Sequence, residues 1–288
     1  MTSTRTEAAA AVRIGAGLAL RKRAELLALL QPCFARTEPW LQAGKYVSAL
    51  VSELPRVNGW SIARQGGDRA PDRTQRLLNH ASWDTFAAMA VVRRFAVAGL
   101  EKAARRGGRR RGLVIGAIDE TGQEKSGEAT AGVKRQYLGC AGRVANGINT
   151  VHLSYVREGT GHALIGARQW IPREHIGDPV KSLVMGLPLD LEFRTKGQLA
   201  IDISKDAAAD GIRPDFYCGD ETSDAVKLSS CCGKFLRGVG EGDGLVVVLA
   251  GGQAAVQAAE EPSEQVALGG GVPVAVVAAP VVVGAGAG

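Results

Sequence analysis

Leu113-Val-Ile-Gly-Ala-Ile118 is a continuous apolar run, and Asp119 follows it at once. A run of this kind suits a buried central strand, because a strand covered on both faces has no place for alternating polar residues. Shorter strands are expected downstream over Lys134–Cys140, Ile148–Val156 and Ala163–Ile171, with turns at Gly142, at Asn146-Gly147 and at Glu158-Gly159 with Gly161. A helix is expected over about Lys196–Ala209, leading through Gly211 and Pro214 into a second short buried strand, Phe216-Tyr-Cys218. Strands followed by a helix and a further strand describe an α/β (α+β) fold.

Each of the two buried strands ends against a carboxylate, Asp119 after Ile118 and Asp220 shortly after Cys218. If the strands are parallel neighbours, both acids emerge at one carboxyl edge, where such sheets build their sites. Two carboxylates there are a ligand set for a hard divalent cation, Mg²⁺ or Mn²⁺. A pair of such ions roughly 4 Å apart activates a nucleophile and stabilises a leaving oxygen in phosphodiester chemistry. An Asp at a strand end is also a common turn or cap residue, so spacing alone leaves both readings open.

Upstream of residue 106 the period is helical, over Glu7–Leu30, Leu41–Leu54 and Trp83–Arg106. In the last stretch Phe86, Met89, Ala90, Arg93, Val97 and Leu100 recur three and four apart, with Ser82 or Asp84 as cap. Between these lie Asn58-Gly-Trp-Ser-Ile-Ala-Arg-Gln-Gly-Gly67 and Asp72-Arg-Thr-Gln-Arg-Leu-Leu-Asn-His80, two short helical segments around a Gly- and Pro-bounded turn. They fit a helix-turn-helix DNA reader with Arg69, Arg73 and Arg76 toward phosphate or bases, or an ordinary helical hairpin with a solvated basic face. Trp60 and Trp83 are expected to pack between helices. The basic junction Arg105-Arg106-Gly-Gly-Arg109-Arg110-Arg111-Gly follows, a flexible linker of the type that tracks a nucleic-acid backbone. The expected division is therefore a helical, DNA-binding domain over 1–106, a basic linker over 107–112, a core over 113–221 and a tail over 222–288.

Charge agrees with a polyanionic partner. All 35 Lys and Arg precede residue 238 while five of the 29 acids follow it, so residues 1–237 carry a net +11. Five cysteines, two of them adjacent and none in Cys-x-x-Cys spacing, indicate neither a disulfide framework nor a zinc ribbon, and a reducing cytoplasm fits them. Basic residues interrupt the N-terminal apolar positions, leaving no signal peptide or membrane span there. The apolar stretch Val266–Gly288 is Gly-rich, contains Pro273 and Pro280 and lacks flanking Lys or Arg, which also speaks against a span. His80, His152, His162 and His175 are scattered without ligand spacing and read as structural.

Over roughly residues 55–221 the chain resembles the bacterial insertion-sequence transposases that carry a DDE superfamily endonuclease domain. The segments that carry the resemblance are Asn58-Gly-Trp with Gly67-Asp-Arg and Arg76-Leu-Leu; Ser82-Trp-Asp; Ile118-Asp-Glu-Thr-Gly; Gly132-Val-Lys-Arg-Gln-Tyr with Gly139-Cys-Ala-Gly-Arg; Phe193-Arg-Thr-Lys with Leu199-Ala; and Gly219-Asp-Glu. The resemblance implies an RNase H-like mixed sheet and makes Asp119 and Asp220 the first two metal-binding acids. The implied reaction is strand cleavage and joining at transposon ends. It further implies double-stranded DNA, both transposon ends and target, as partner, a nucleoid-associated cytoplasmic location and a homo-oligomer. Lys134 and Arg135 lie in one of its segments, where contact with phosphate is expected near the acids, or else a solvated strand edge.

In this family a third acid, a Glu on a downstream helix, completes the site, whereas here the family-like text stops at Glu221. Residues 241–288 contain 33 Gly, Ala or Val, and Phe235 is the one aromatic after Thr222, so little specific packing is expected in this low-complexity tail. Such text is what an out-of-frame reading of a GC-rich gene produces, and a frameshift near codon 222 is inferred from it. Glu120 and Glu221 adjoin the expected ligands, but neighbours on a strand point to opposite faces, which makes them poor substitutes; Glu260, Glu261 and Glu264 suit an exposed acidic loop. The expectation is a transposase of impaired catalysis. Its alternative is a non-catalytic DNA-binding remnant, and behind both stands an unrelated RNase H-like nuclease.

Overall fold

The computed structural model describes residues 2–108, 112–219 and 235–237, with side chains over 15–108 and 112–219. Arg109, Arg110, Arg111, Asp220, Glu221 and most of the Gly/Ala/Val-rich tail lie outside the described residues. The chain forms two compact units, Met1–Phe95 and Ala96–Gly288.

The first unit contains α1 (Thr2–Leu30), α2 (Thr37–Leu50), α3 (Gly59–Gln65), α4 (Asp72–Asn79) and the beginning of α5 (Thr85–Arg106), within which the division between the units falls. Local chemistry sets most of these boundaries. α2 starts upstream of the expected Leu41 because Pro39 sits in its first turn, where an amide has no intrahelical partner to lose. α3 opens on a capping box: the Ser61 amide donates to Asn58 Oδ1 at 2.9 Å and the Asn58 amide to Ser61 Oγ at 3.0 Å. For α5 the cap is Asp84, whose Oδ1 accepts from the Ala87 amide at 2.8 Å. Trp83 stacks on Phe34 with ring centroids 5.2 Å apart. Trp60 departs from its expected packing role. It is 64% exposed, because α3 turns Ile62 and Ala63 inward.

The second unit is built on a sheet of β1 (Val114–Glu124), β2 (Lys134–Leu138), β3 (Arg143–Arg157), β4 (Gly161–Gln169), β5 (Phe216–Gly219) and β6 (Phe235–Arg237), in the order β2-β3-β1-β5-β6 with β4 also on β3. The β1–β3, β2–β3 and β3–β4 pairs are antiparallel; β1–β5 and β5–β6 are parallel. β2 takes the first part of one edge of β3 and β4 the remainder. Helices α6 (Arg173–Ile176), α7 (Pro179–Val184) and α8 (Lys196–Ala209) follow β4. The fold is α/β with an RNase H-like mixed sheet, as the resemblance implies.

Two strand expectations need correction. β1 does not stop at Ile118 but pairs with β3 as far as Glu124↔Gly147, so Asp119 lies within a strand and not after one. Asn146-Gly147 is not a turn. Both residues lie inside β3, and a Cβ on Gly147 would stand 2.4 Å from Leu138 Cδ1 and 2.6 Å from the Gln123 carbonyl oxygen, so glycine serves close approach there.

The core lies on one face of this sheet. Ile118, Val151, Leu153, Tyr155 and Ile165 meet Leu199, Ala200, Ile203 and Ala207 of α8, which opens on a capping box between Thr195 and Gln198. Burying one such Leu or Ile stabilises by about 1.5–3 kcal/mol. Gly166 sets the distance, since a Cβ there would fall 2.2 Å from Ile203 Cγ2. Within the same unit the end of α5 joins β3 through a polar cluster: Tyr155 Oη donates to Glu101 Oε1 at 2.8 Å, and Arg157, 3% exposed, pairs with that oxygen at 2.9 Å. Burial and the Glu101 carboxylate hold the Tyr155 hydroxyl well above the ordinary tyrosine range.

Candidate functional site

The parallel ladder between β1 and β5 runs from Ile115↔Phe216 to Ile118↔Gly219 and ends there. Asp119 is the next residue of β1. Alternation along the strand turns it away from Ile118 and α8, to the opposite face. There it is exposed and its Oδ1 accepts from the Glu120 amide at 2.7 Å.

Across the antiparallel pair the direct partner of Asp119 is His152, and direct partners have Cβ atoms about 4.5–5.5 Å apart. The Nδ1 of His152 lies 3.3 Å from Thr121 Oγ1 on the same face. Burial pushes the His152 imidazole below the ordinary histidine value, and the Asp119 carboxylate pulls against that shift. Sequence reasoning set His152 aside as structural because no ligand spacing marks it. Only the strand register brings it opposite Asp119.

The chemistry of this pair suits a cation. A carboxylate with one oxygen engaged only by a backbone amide keeps donor capacity for a divalent ion, and an imidazole is a further ligand type that Mn²⁺ tolerates. Among the described residues no three His, Cys, Asp or Glu side chains gather closely enough to hold a metal, and Asp220 is not among them.

Glu120 points to the other face, where Lys196 donates to its Oε2. Lys196 is also 5.5 Å from the Trp170 ring centroid, and Lys134 lies 5.9 Å from it while pairing with Glu174 at 2.6 Å. That Lys134 hydrogen bond is the main reason the Glu174 carboxyl titrates below its usual value. Lys134 and Arg135 are therefore not beside Asp119. Their β3 partners are Gly147 and Asn146 while that of Asp119 is His152, a separation of roughly 15–20 Å along the strand, and Lys134 stands on the opposite face.

The remaining basic candidates among the described residues are exposed, and Arg109, Arg110 and Arg111 lie outside them. Arg73 and Arg76 lie on α4, Arg69 in the turn before it, and Arg105 and Arg106 in the last turn of α5. Of these, Arg73 approaches an acid, Asp68, at 3.7 Å. No helix among the described residues is long and apolar enough to cross a membrane.

No curated protein and no solved structure matches the chain. The family model of the DDE superfamily endonucleases matches residues 29–221, more than half of the sequence, a span that takes in α2 to β5 and Asp119. The chain belongs to the DDE superfamily endonuclease family, whose members are transposase-type nucleases acting on DNA.

Proposed function

We propose that the protein is a DNA transposase of insertion-sequence type, in which residues 1–106 bind DNA, 107–112 form a basic linker and 113–221 form the catalytic core. Asp119 and Asp220 would hold Mg²⁺ or Mn²⁺ and direct strand cleavage and joining at transposon ends. The observation that carries this reading is the parallel register. Ile118 pairs with Gly219 at the end of the parallel ladder, the edge where such sheets gather catalytic acids; Asp119 follows Ile118 on β1, and in the sequence Asp220 follows Gly219. When bound, the metal supplies charge neutralisation at phosphate and an activated oxygen nucleophile. The chain's own part is to hold Asp119 on β1, next to the end of its parallel ladder with β5. Arg73, Arg76, Arg105, Arg106, Arg109, Arg110, Arg111, Lys134 and Arg135 would contact the DNA, at phosphate or at bases, and fix its register.

Catalysis is impaired in this reading, because the family match ends at residue 221 and no Glu of the sequence beyond it stands in an aromatic and basic setting. A missing ligand replaced by water weakens metal binding and loosens the nucleophile. The text beyond 221 has the composition of a frameshifted reading.

The experiment is nicking of a labelled duplex with and without Mg²⁺ or Mn²⁺. Slow, metal-dependent nicking that disappears in Asp119→Asn supports the reading; fast turnover would overturn the impairment, and nicking that survives Asp119→Asn would overturn the site.

A second reading, a DNA-binding protein without chemistry, is favoured by the exposed polar face of α4, on which Gln75, Arg76 and Asn79 make no side-chain hydrogen bond or ion pair among the described residues and which needs no metal. Binding that weakens steeply with salt and ignores metal, with no nicking in any condition, would select it.

A further inference from the structure

α4 is anchored on one side and bare on the other. Thr74 and Leu77 face inward at 2% and 8% exposure, while Asp72, Arg73, Gln75, Arg76, Asn79 and the adjoining His80 are exposed. Its orientation is fixed from α2. Gln42 Nε2 donates to Thr74 Oγ1 at 3.1 Å and to Asp68 Oδ2 at 2.9 Å, and Lys45 donates to Asp68 Oδ1 at 2.6 Å. Asp68 belongs to the turn that joins α3 to α4, so both the turn and the helix are held. Its carboxyl is held below the usual value chiefly by Lys45.

By contrast, the side chains of Gln75, Arg76, Asn79 and His80 make no hydrogen bond or ion pair among the described residues. Together with Asp72 they line a single shallow depression. A solvated surface explains exposure, but not this choice of residues. Asn and Gln can contact phosphate as Lys and Arg do, but they also carry a donor and an acceptor that match base edges, and a protein-docking face needs apolar anchors, which the exposed side of α4 lacks. An Arg fork matches the N7 and O6 of guanine, and Gln and Asn amides match the N6 and N7 of adenine. A helix with its side chains is about 10–12 Å across, which the major groove, about 12 Å wide, admits. Arg64 on α3, Arg69 in the turn before α4 and Arg73 on α4 are exposed as well, and such side chains contact phosphate.

We propose that α4 enters the major groove of duplex DNA and reads base edges, Arg76 at guanine and Gln75 and Asn79 at adenine, which gives the helical unit a sequence preference of its own. The proposal rests on the reading that duplex DNA is the substrate, but not on the metal centre.

The test is selection by the full chain from a pool of random duplexes in EDTA, followed by fluorescence anisotropy on the enriched duplex and on a shuffled one. A short enriched motif containing G and A is expected. Asn79→Ala and Gln75→Ala should each weaken binding to the enriched duplex roughly 5- to 100-fold and leave the shuffled duplex within about twofold. Neither side chain has a hydrogen-bond or ion-pair partner among the described residues, and unchanged circular dichroism of both variants excludes misfolding. Binding with no enriched motif, or equal losses on both duplexes, would overturn the base-reading role while leaving the nicking result standing. Absence of binding to any duplex at low salt would overturn this proposal together with the DNA reading beneath it.

Discussion

The helical unit and the sheet unit keep their shapes by different means. In the sheet unit the fixed points are apolar and distant in sequence: Leu153, Ile165 and Ile203 are fully buried although they come from β3, β4 and α8. In the helical unit the residues at zero to 2% exposure are small, Ala49, Ala63 and Thr74, while Trp60 and Phe86 remain 64% exposed. Caps and the Gln42–Asp68–Thr74 network orient its helices. A unit stabilised by interior packing holds a carboxylate steadily, and one positioned by a polar network can leave a helix face unused by its own fold. The difference points to chemistry in one unit and recognition in the other.

Substitutions that act on one unit and spare the other sharpen this contrast. The largest effect is expected from Asp119→Asn, which should reduce metal-dependent nicking by roughly a hundredfold or more yet leave DNA binding in EDTA within about twofold. A parallel loss of binding would mean that the two roles are not divided this way. Gly166→Ala comes next. The new methyl would overlap Ile203 and force α8 from the sheet, at a cost of about 1–3 kcal/mol. Hydrogen exchange should accelerate in α8, β3 and β4 and stay unchanged in α2 to α4. Gln42→Ala should show the reverse pattern at about 1–2 kcal/mol, because it leaves the buried Thr74 hydroxyl and the Asp68 carboxylate short of a partner. Acceleration across both units in either variant would show that they unfold as one.

Those parts of the fold with a local signal were legible in the sequence. α8 spans the expected Lys196–Ala209, since Thr195 and Gln198 form its cap and Gly211, at φ 77°, ends it. The apolar run at 113–118 became the centre of the sheet. What depends on pairing was not legible. Asp119 was expected beyond a strand because polar Asp119-Glu120-Thr121 reads as an end, but the 15-residue β3 continues opposite it and carries β1 onward. Gly147 carries the signature of a turn and instead makes room for Leu138. Among candidate site residues, Asp119 is singled out by its position after an apolar run, whereas the placement of His152 opposite it and the Lys196–Glu120 link require the register. Lys134 was expected near the acid on motif proximity, but sequence proximity does not give distance within a sheet.

The smallest effect expected is on pH. His175 on α6 is 7% exposed and its Nδ1 lacks a hydrogen-bond partner. Burial pushes its imidazole below the ordinary value of 6.5; Lys181 and Lys134 act in the same direction and Glu174 opposes them. Because the folded value lies below the unfolded one, the unfolded chain binds the extra proton in the window between them, so stability must rise with pH there and level off above about 6.5. The carboxylates with lowered values, Asp68 and Glu174, stay ionised across that window and add no slope. His152 is shifted in the same direction by burial and contributes part of the slope. Thermal midpoints in EDTA should therefore be level from pH 7 to 8 and decline below 6.5. His175→Gln should flatten part of that decline and His152→Gln a further part, whereas an unaltered slope in both would place the acid sensitivity elsewhere. Because both histidines belong to the sheet unit, hydrogen-exchange protection in α2 to α4, taken relative to the intrinsic rate at each pH, should stay level over the same range, which extends the contrast between the two units to their response to protons.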